Sequence, residues 1–437
     1  MAAADGELDL TQIEATLIEL VQELEPAPVR QRGRPRILPA ALLWASLTIG
    51  ILRGKMSQAA VWRLTKDKDL WRGEQIAVSD QAVYKRLAQQ GPSPMEALFH
   101  ALTARLVARV APCPQNTMAP FASAVVAIDE STLDQVMRKL PALHQVPLDD
   151  ARLLPGKIAG VFDLRTNLWR TARFIDYAHQ NEKVAALDLI SDLAPGALIL
   201  ADMGYFKFAW FDTLTDAGHF WISRVPAKVS FTVVHTLIQT PTLTEDLVFF
   251  GGYRSDRSAH RVRRIQVTIA HQTWTYVTNV EDPQMLPSAD VVALYRQRWK
   301  IESAFNLAKT HLHLHLIWSA KPSIVQHQVW AVLLIAQLVG ALRAEIATRA
   351  AVPIDDVSLT LLVSDFPRYA AGHDDPIAAY IADGFHLRYI RKTRTKAYTI
   401  PTYPHTAYAL PPPDSPITQI PRYARVDRRS TRGPGRN

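Results

Sequence analysis

Between Ala122 and Val225 the hydrophobic period of the chain switches repeatedly, and the order of those switches constrains the fold more than any other feature. Ala122–Ile128 (ASAVVAI) is a short apolar, β-branched run that ends in Asp129. Gly156–Leu168 and Arg170–Tyr177 read as two further strands around an Arg-Thr-Asn turn. Asn181–Leu193 has a helical apolar period, and Gly196–Ala201 is a buried strand that ends in Asp202. Phe206–Ala217 is helical again, and Gly218–Val225 returns to a strand pattern. Taken singly, an Asp that ends a strand is more often a turn or cap residue. Two of them, in this order of elements, are far more specific.

Three strands, helix, strand, helix, strand is the order of a ribonuclease-H-like core. Such a core gathers carboxylates from the ends of neighbouring strands and from one later helix. Residues 226–287 follow with β-branched and aromatic runs that lack a helical period, so a β insertion is expected there. The expected fold class is α/β: a ribonuclease-H-like catalytic core with a β-strand insertion, preceded by an all-α DNA-binding domain. The core takes 116–225 and 288–320, the insertion 226–287, and a helical C-terminal region 321–398.

The flanks differ in composition. Residues 1–115 read as the helical N-terminal domain, opening on an amphipathic helix with Thr11 and Glu14 at capping-box spacing. Gln31–Arg36 (QRGRPR) then places Arg32 and Arg34 in a basic arm similar to the core of a minor-groove AT-hook. A plain basic linker is an equal reading of so short a motif. Ser57–Leu64 looks like a support helix, and Val78–Leu87 like a recognition helix with Ser79 as N-cap and Lys85 and Arg86 facing DNA. The segment between them is longer than a tight helix-turn-helix connection, which leaves a plain helical bundle open. Residues 399–437 form a tail expected to be disordered: seven prolines lie in 401–421, followed by six arginines with only Asp427 among them.

A net charge of +8 fits a polyanionic partner without requiring one. The single cysteine, Cys113, excludes an intramolecular disulfide framework and a cysteine-rich zinc site. The longest apolar run, Val329–Leu342, is broken by Gln337 and reads as a buried helix rather than a membrane span. A cytoplasmic protein, nucleoid-associated when bound to DNA and without a membrane partner, is expected.

The helix over 289–312 carries the chemistry. At about 100° per residue, Tyr295, Arg298, Glu302 and Lys309 fall within an arc of roughly 60° on an ideal helix. Leu294, Ile301, Phe305, Ala308 and Leu312 fill the adjacent arc. A carboxylate among phosphate-binding cations is what a metal-dependent phosphodiester enzyme needs. A solvated helix face with a few ion pairs is the plainer reading of the helix alone. Asp129 and Asp202 at strand ends supply the partners Glu302 lacks. A two-metal site requires such carboxylates to converge on cations roughly 3.5–4 Å apart.

These residues resemble the DDE transposases of bacterial insertion sequences, in the branch (the insertion sequence four family) with the signature Tyr, two residues, Arg, three, Glu, six, Lys. Tyr295, Arg298, Glu302 and Lys309 match that spacing. Asp202-Met203-Gly204-Tyr205 is similar to the second-aspartate motif, with Met203 where Arg is usual; Ile128-Asp129-Glu130-Ser131 is similar to the first, with Glu130 where a small residue is usual. The resemblance covers about 120–315 and implies that Asp129, Asp202 and Glu302 hold two Mg²⁺ or Mn²⁺ ions. It implies that Tyr295, Arg298 and Lys309 hold phosphates near the transposon end. Members that cut through a hairpin stack a flipped base on an aromatic residue of the insertion, and Trp274 is the candidate, although a Trp in a β-rich segment is more often core.

The function implied is cut-and-paste transposition. Metal-dependent hydrolysis at the inverted repeats is followed by strand transfer into target DNA, by a homodimer that pairs the two ends. A transposase descendant that binds DNA without catalysis, and a ribonuclease-H-like nuclease without strand transfer, are the alternatives. His311, His313 and His315 alternate as a metal site would, but lack an acidic or cysteine neighbour and read as packed or solvated. Glu130, Asp134 and Asp163 do not match the motif spacing.

Overall fold

The computed structural model describes residues 12–23, 37–55, 57–68, 70–71, 77–110, 118–133, 145, 147, 156–176, 182–226, 228–251, 257–269, 271–392 and 400–411. Thr11, Arg32, Arg34, Cys113, Asp134 and the arginines from 422 onward lie outside the described residues. The chain opens with helices α1 (Ile13–Glu23), α2 (Ala40–Leu52), α3 (Gln58–Leu64), α4 (Asp80–Gln89) and α5 (Ser93–Arg109). Strands β1 (Val125–Thr132), β2 (Lys157–Asp163) and β3 (Leu168–Ile175) precede helix α6 (Glu182–Ile190), strand β4 (Leu198–Ala201), helix α7 (Phe208–Asp216) and strand β5 (Phe220–Arg224). Strands β6 (Phe231–Gln239), β7 (Leu243–Phe250), β8 (Val262–Ile269) and β9 (Gln272–Thr278) come next. Helices α8 (Ser288–Gln297), α9 (Trp299–Asn306), α10 (Pro322–Arg349), α11 (Leu359–Gly372) and α12 (Pro376–Ala382) follow. The fold is mixed α/β, and the strand and helix order of β1–β5 is the one that the alternating periods predict.

Two compact units emerge. The first comprises 1–117, 129–181 and 299–395, the second 118–128, 182–298 and 396–437. Strand β1 passes from the second to the first at Asp129.

In the first unit the long helix α10 is the axis of the core. By length and composition it is apolar enough to cross a membrane, but 83% of its most apolar window is buried by the protein itself. Helices α2, α4 and α5 and strand β3 pack on it. Trp44 stacks on His327 with ring centroids 4.9 Å apart, and Phe99 meets Trp330 at 5.4 Å. Strand β3 is the edge of its sheet, beside β2, and an edge leaves backbone groups unpaired. Gln337 supplies them with partners. Its side-chain amide accepts from the Trp169 N–H at 2.9 Å and donates to the Trp169 carbonyl at 2.8 Å and the Thr103 hydroxyl at 2.6 Å. The polar residue that interrupts the apolar run is therefore fully satisfied inside the core. The register of β2 on β3 shifts at Val161/Phe162, leaving Arg170 as the extra residue of a bulge. Gly160 makes room for the Trp169 ring, since a Cβ there would stand 2.5 Å from its Cζ3. Asp163 closes the β2–β3 turn: its carboxylate accepts from the backbone N–H of Arg165 at 2.8 Å and Thr166 at 3.0 Å, and pairs with the Arg170 guanidinium at 2.6 Å.

The second unit holds a sheet in the order β1-β4-β5-β9-β8-β7-β6. The β1–β4 and β4–β5 pairs are parallel and the remainder antiparallel. Val125–Ile128 and Leu198–Ala201 are buried throughout, which is why both read as unbroken apolar runs. Residues 400–411 depart from the disorder expected of the tail. The Ala409 N–H donates to the Leu237 carbonyl at 2.8 Å, and the Tyr408 and Tyr403 hydroxyls donate to Glu245 and Thr240, each at 3.1 Å. The physical reason is that β6 is an edge strand, and the segment supplies its missing partner.

Candidate functional site

In the second unit, Asp202 directly follows β4 and starts the 3₁₀ turn Met203–Tyr205, half-buried at φ −71°, ψ 165°. The parallel neighbour β5 pairs Ser223 with Ala201, so Arg224 stands one residue beyond that level. Its guanidinium carbon lies 4.3 Å from the centroid of the half-buried Trp274 ring on β9. One face of the indole is thereby covered by a cation. Arg224 pairs with Tyr276 across the sheet, and Tyr276 meets the edge of Tyr295 at 5.5 Å.

Tyr295, on α8, is only 6% exposed. Burial pushes its phenol up to about 12, and the Asp202 carboxylate pushes the same way; Arg298, which also hydrogen-bonds it, and Arg224 oppose them. That electrostatic coupling draws Asp202, Arg224, Tyr295 and Arg298 into one cluster. Arg224 is the member that periodicity did not single out. The signal available was its position, at the end of a strand run like the two aspartates.

In the first unit, Asp129 is half-buried, and β1 continues three residues beyond it instead of ending there. Its Oδ1 accepts the Glu130 N–H at 2.8 Å. Glu130, the residue that departs from the motif, forms an ion pair with Lys157 in which the side chains are 4% and 3% exposed. A carboxylate held in so buried a pair is committed to the fold. Glu302 is half-buried on α9, whose inner face carries Ile301, Ala304 and Phe305. Phe305 seats that face on Trp169, with ring centroids 4.9 Å apart.

The helix expected over 289–312 is not uniform. It is interrupted at Arg298, whose N–H bonds the Tyr295 carbonyl at 3.2 Å, and it widens to a π-helical turn over Leu307–His311. The Leu312 N–H reaches back five residues to Leu307 at 2.9 Å. Lys309 sits in this wider turn, so its direction departs from the ideal 100° projection. Tyr295 and Arg298 are buried, whereas Glu302 and Lys309 are half-buried. The polar strip is thus graded in exposure along its length.

Two of the three alternating histidines have hydrogen-bond partners in the fold. His311 pairs with Thr360 at 3.3 Å, and His315 Nδ1 meets the Lys309 carbonyl at 2.7 Å. On α4, Ser79 caps the helix as expected, accepting from the Ala82 N–H at 3.2 Å. Lys85 is exposed, and Arg86 is half-buried with its Nε 2.6 Å from Gln90. Asp129, Asp202 and Glu302 are half-buried oxygen donors, a chemistry that suits Mg²⁺ or Mn²⁺. Among the described residues, no three His, Cys, Asp or Glu side chains form a group that could hold a metal.

Residues 155–338 match the family model described as the transposase DDE domain. The similarity is to transposases. The matched span includes Asp202, Trp274, Tyr295, Arg298, Glu302 and Lys309, and excludes Asp129. The chain is 22% identical over 168 residues to the protein named "Putative transposase y4zB" of Sinorhizobium fredii (strain NBRC 101917 / NGR234). That alignment takes 37% of this chain, and the chain spans 47% of the relative's length. A cryo-EM structure of the piggyBac transposase synaptic complex with hairpin DNA aligns with 90% of this chain and 87% of its own, at 8% identity and a TM-score of 0.42. A likeness that loose decides nothing about chemistry.

Proposed function

We propose that the protein is a DNA transposase of the insertion-sequence type, acting by metal-dependent hydrolysis at the element's ends and strand transfer into target DNA. The observation that carries this is the transposase DDE domain match over 155–338, which takes in the second aspartate and the whole Tyr-Arg-Glu-Lys signature. In this reading the sheet and the helices around it form a ribonuclease-H-like core, with β6–β9 as its insertion.

Asp129, Asp202 and Glu302 would hold divalent cations, which supply Lewis-acid activation of a water and stabilisation of the leaving 3′ oxygen. Arg298 and Lys309 would orient the scissile phosphate, Arg by its planar fork and Lys as a mobile charge. Tyr295, kept neutral by burial and by Asp202, would offer a hydroxyl rather than a competing negative charge. Trp274, with Arg224 over its ring, would stack a flipped base. Lys85 and Arg86, with Arg32 and Arg34, would contact the end sequence, and two copies would pair the two ends.

The test is a linear duplex carrying the element's own terminal repeats, incubated with protein, Mg²⁺ and a target plasmid. Cutting at the repeats followed by joining is the expected result. Cutting without joining would leave a nuclease, and binding without cutting a catalytically silent descendant.

A further inference from the structure

In the first unit a groove of about 940 Å³ is walled by Arg343, Arg388, Arg391 and Lys392, against Asp355 and Asp356. Asp355 is engaged by Lys300 at 3.0 Å, so the groove's field is set mainly by its cations. Arg388, Arg391 and Lys392 are exposed, and among the described residues none has a side-chain hydrogen bond or ion pair. The wall is fixed rather than a chance meeting of loops. Val357 bridges to Ile390, the Ser358 N–H bonds the Tyr389 carbonyl at 2.8 Å, and the Arg343 Nε donates to the Val357 carbonyl at 2.9 Å.

Its position matters more than its charge. The segment from Lys300 to His311 carries Glu302 and Lys309, and both of its ends touch the groove wall: Lys300 through Asp355, and His311 through Thr360 at 3.3 Å. The groove therefore adjoins the segment that carries Glu302 and Lys309, and DNA bound along that segment would come within reach of its cations. Phe385, 67% exposed, stands on the same wall and offers a ring face to an unpaired base.

We propose that this groove binds the sugar–phosphate backbone of DNA running on from the Glu302 segment, as a sequence-independent contact separate from the carboxylates. It rests on the transposase function for the identity of its ligand. Sequence reading passed over it because its residues come from Arg343, the 355–360 turn and 385–392, and only the fold joins them.

The test is fluorescence polarisation of a short labelled duplex of arbitrary sequence, titrated with the full chain over a range of salt. Arg391→Gln with Lys392→Gln alters two exposed side chains and leaves the wall's backbone bonds in place. It should weaken binding roughly tenfold near 0.1 M salt and flatten the slope of log affinity on log salt by about two. The charge-conserving Arg391→Lys with Lys392→Arg should stay close to the parent protein. An unchanged slope in the first variant, or an equal loss in the second, would overturn the groove as a phosphate site. If the parent chain still bound DNA in those cases, the transposase function would stand without the groove. A parent chain that binds no DNA would overturn both.

Discussion

At the scale of single residues, Tyr295 shows how burial sets chemistry. Its phenol titrates near 10.0 when solvated and is pushed up to about 12 in the fold, by burial first and the Asp202 carboxylate second. The sign of the linkage follows. Below pH 10 both folded and unfolded forms are neutral, and the contribution is fully present. Between pH 10 and 12 the unfolded chain ionises first, so stability falls as pH rises. Urea denaturation across that window should show Tyr295→Phe losing less stability than the parent, by about 1–3 kcal/mol. Identical losses would mean that the phenol is not held neutral by its site. Glu130 carries the opposite lesson. Glu130 stands beside Asp129 where a small residue is usual, and its commitment is visible only once Lys157, on β2, is seen to pair with it. No local pattern announces a partner that arrives by strand pairing.

At the scale of elements, the runs Val125–Ile128 and Leu198–Ala201 were legible because strands buried on both faces are apolar without interruption. Helix α10 was legible for a similar reason: the apolar run Val329–Leu342, read as a buried helix, lies inside the helix found over Pro322–Arg349. The interruption at Arg298 and the π turn at Lys309 were not, since a wheel drawn at 100° presupposes the hydrogen-bond register that changes there. Nor was the role of Gln337, which looks like a blemish in an apolar run until β3 lies beside it. Replacing it by Leu strands the buried Trp169 N–H and carbonyl and the Thr103 hydroxyl. The variant should lose about 2–4 kcal/mol, read as a lower urea midpoint at unchanged slope. An unmoved midpoint would show that the edge strand finds other partners.

At the scale of the molecule, the units do not follow the order of the chain. The N-terminal helices share a core with α10, and β1 and the Tyr295–Lys309 segment each cross from one unit to the other. Apolar content marks which segments are buried, but the partner of each buried face is fixed only by the fold. The residues proposed for the site could be named from types and spacing alone, with Asp129 and Asp202 beside strand runs and Glu302 between Arg298 and Lys309. Their surroundings could not be: Arg224 over Trp274, and the cations beyond Lys300, are joined only in three dimensions.

On the proposed function, Asp129, Asp202 and Glu302 together serve the Mg²⁺-dependent cutting of DNA. The direct measurement is cleavage of a duplex bearing the terminal repeats by Asp202→Asn and Glu302→Gln, run beside a gel shift on the same DNA. Both substitutions keep shape and remove charge, so each variant should still shift the DNA while its Mg²⁺-dependent cutting falls below detection. Cutting at the parent rate by either variant would contradict the account.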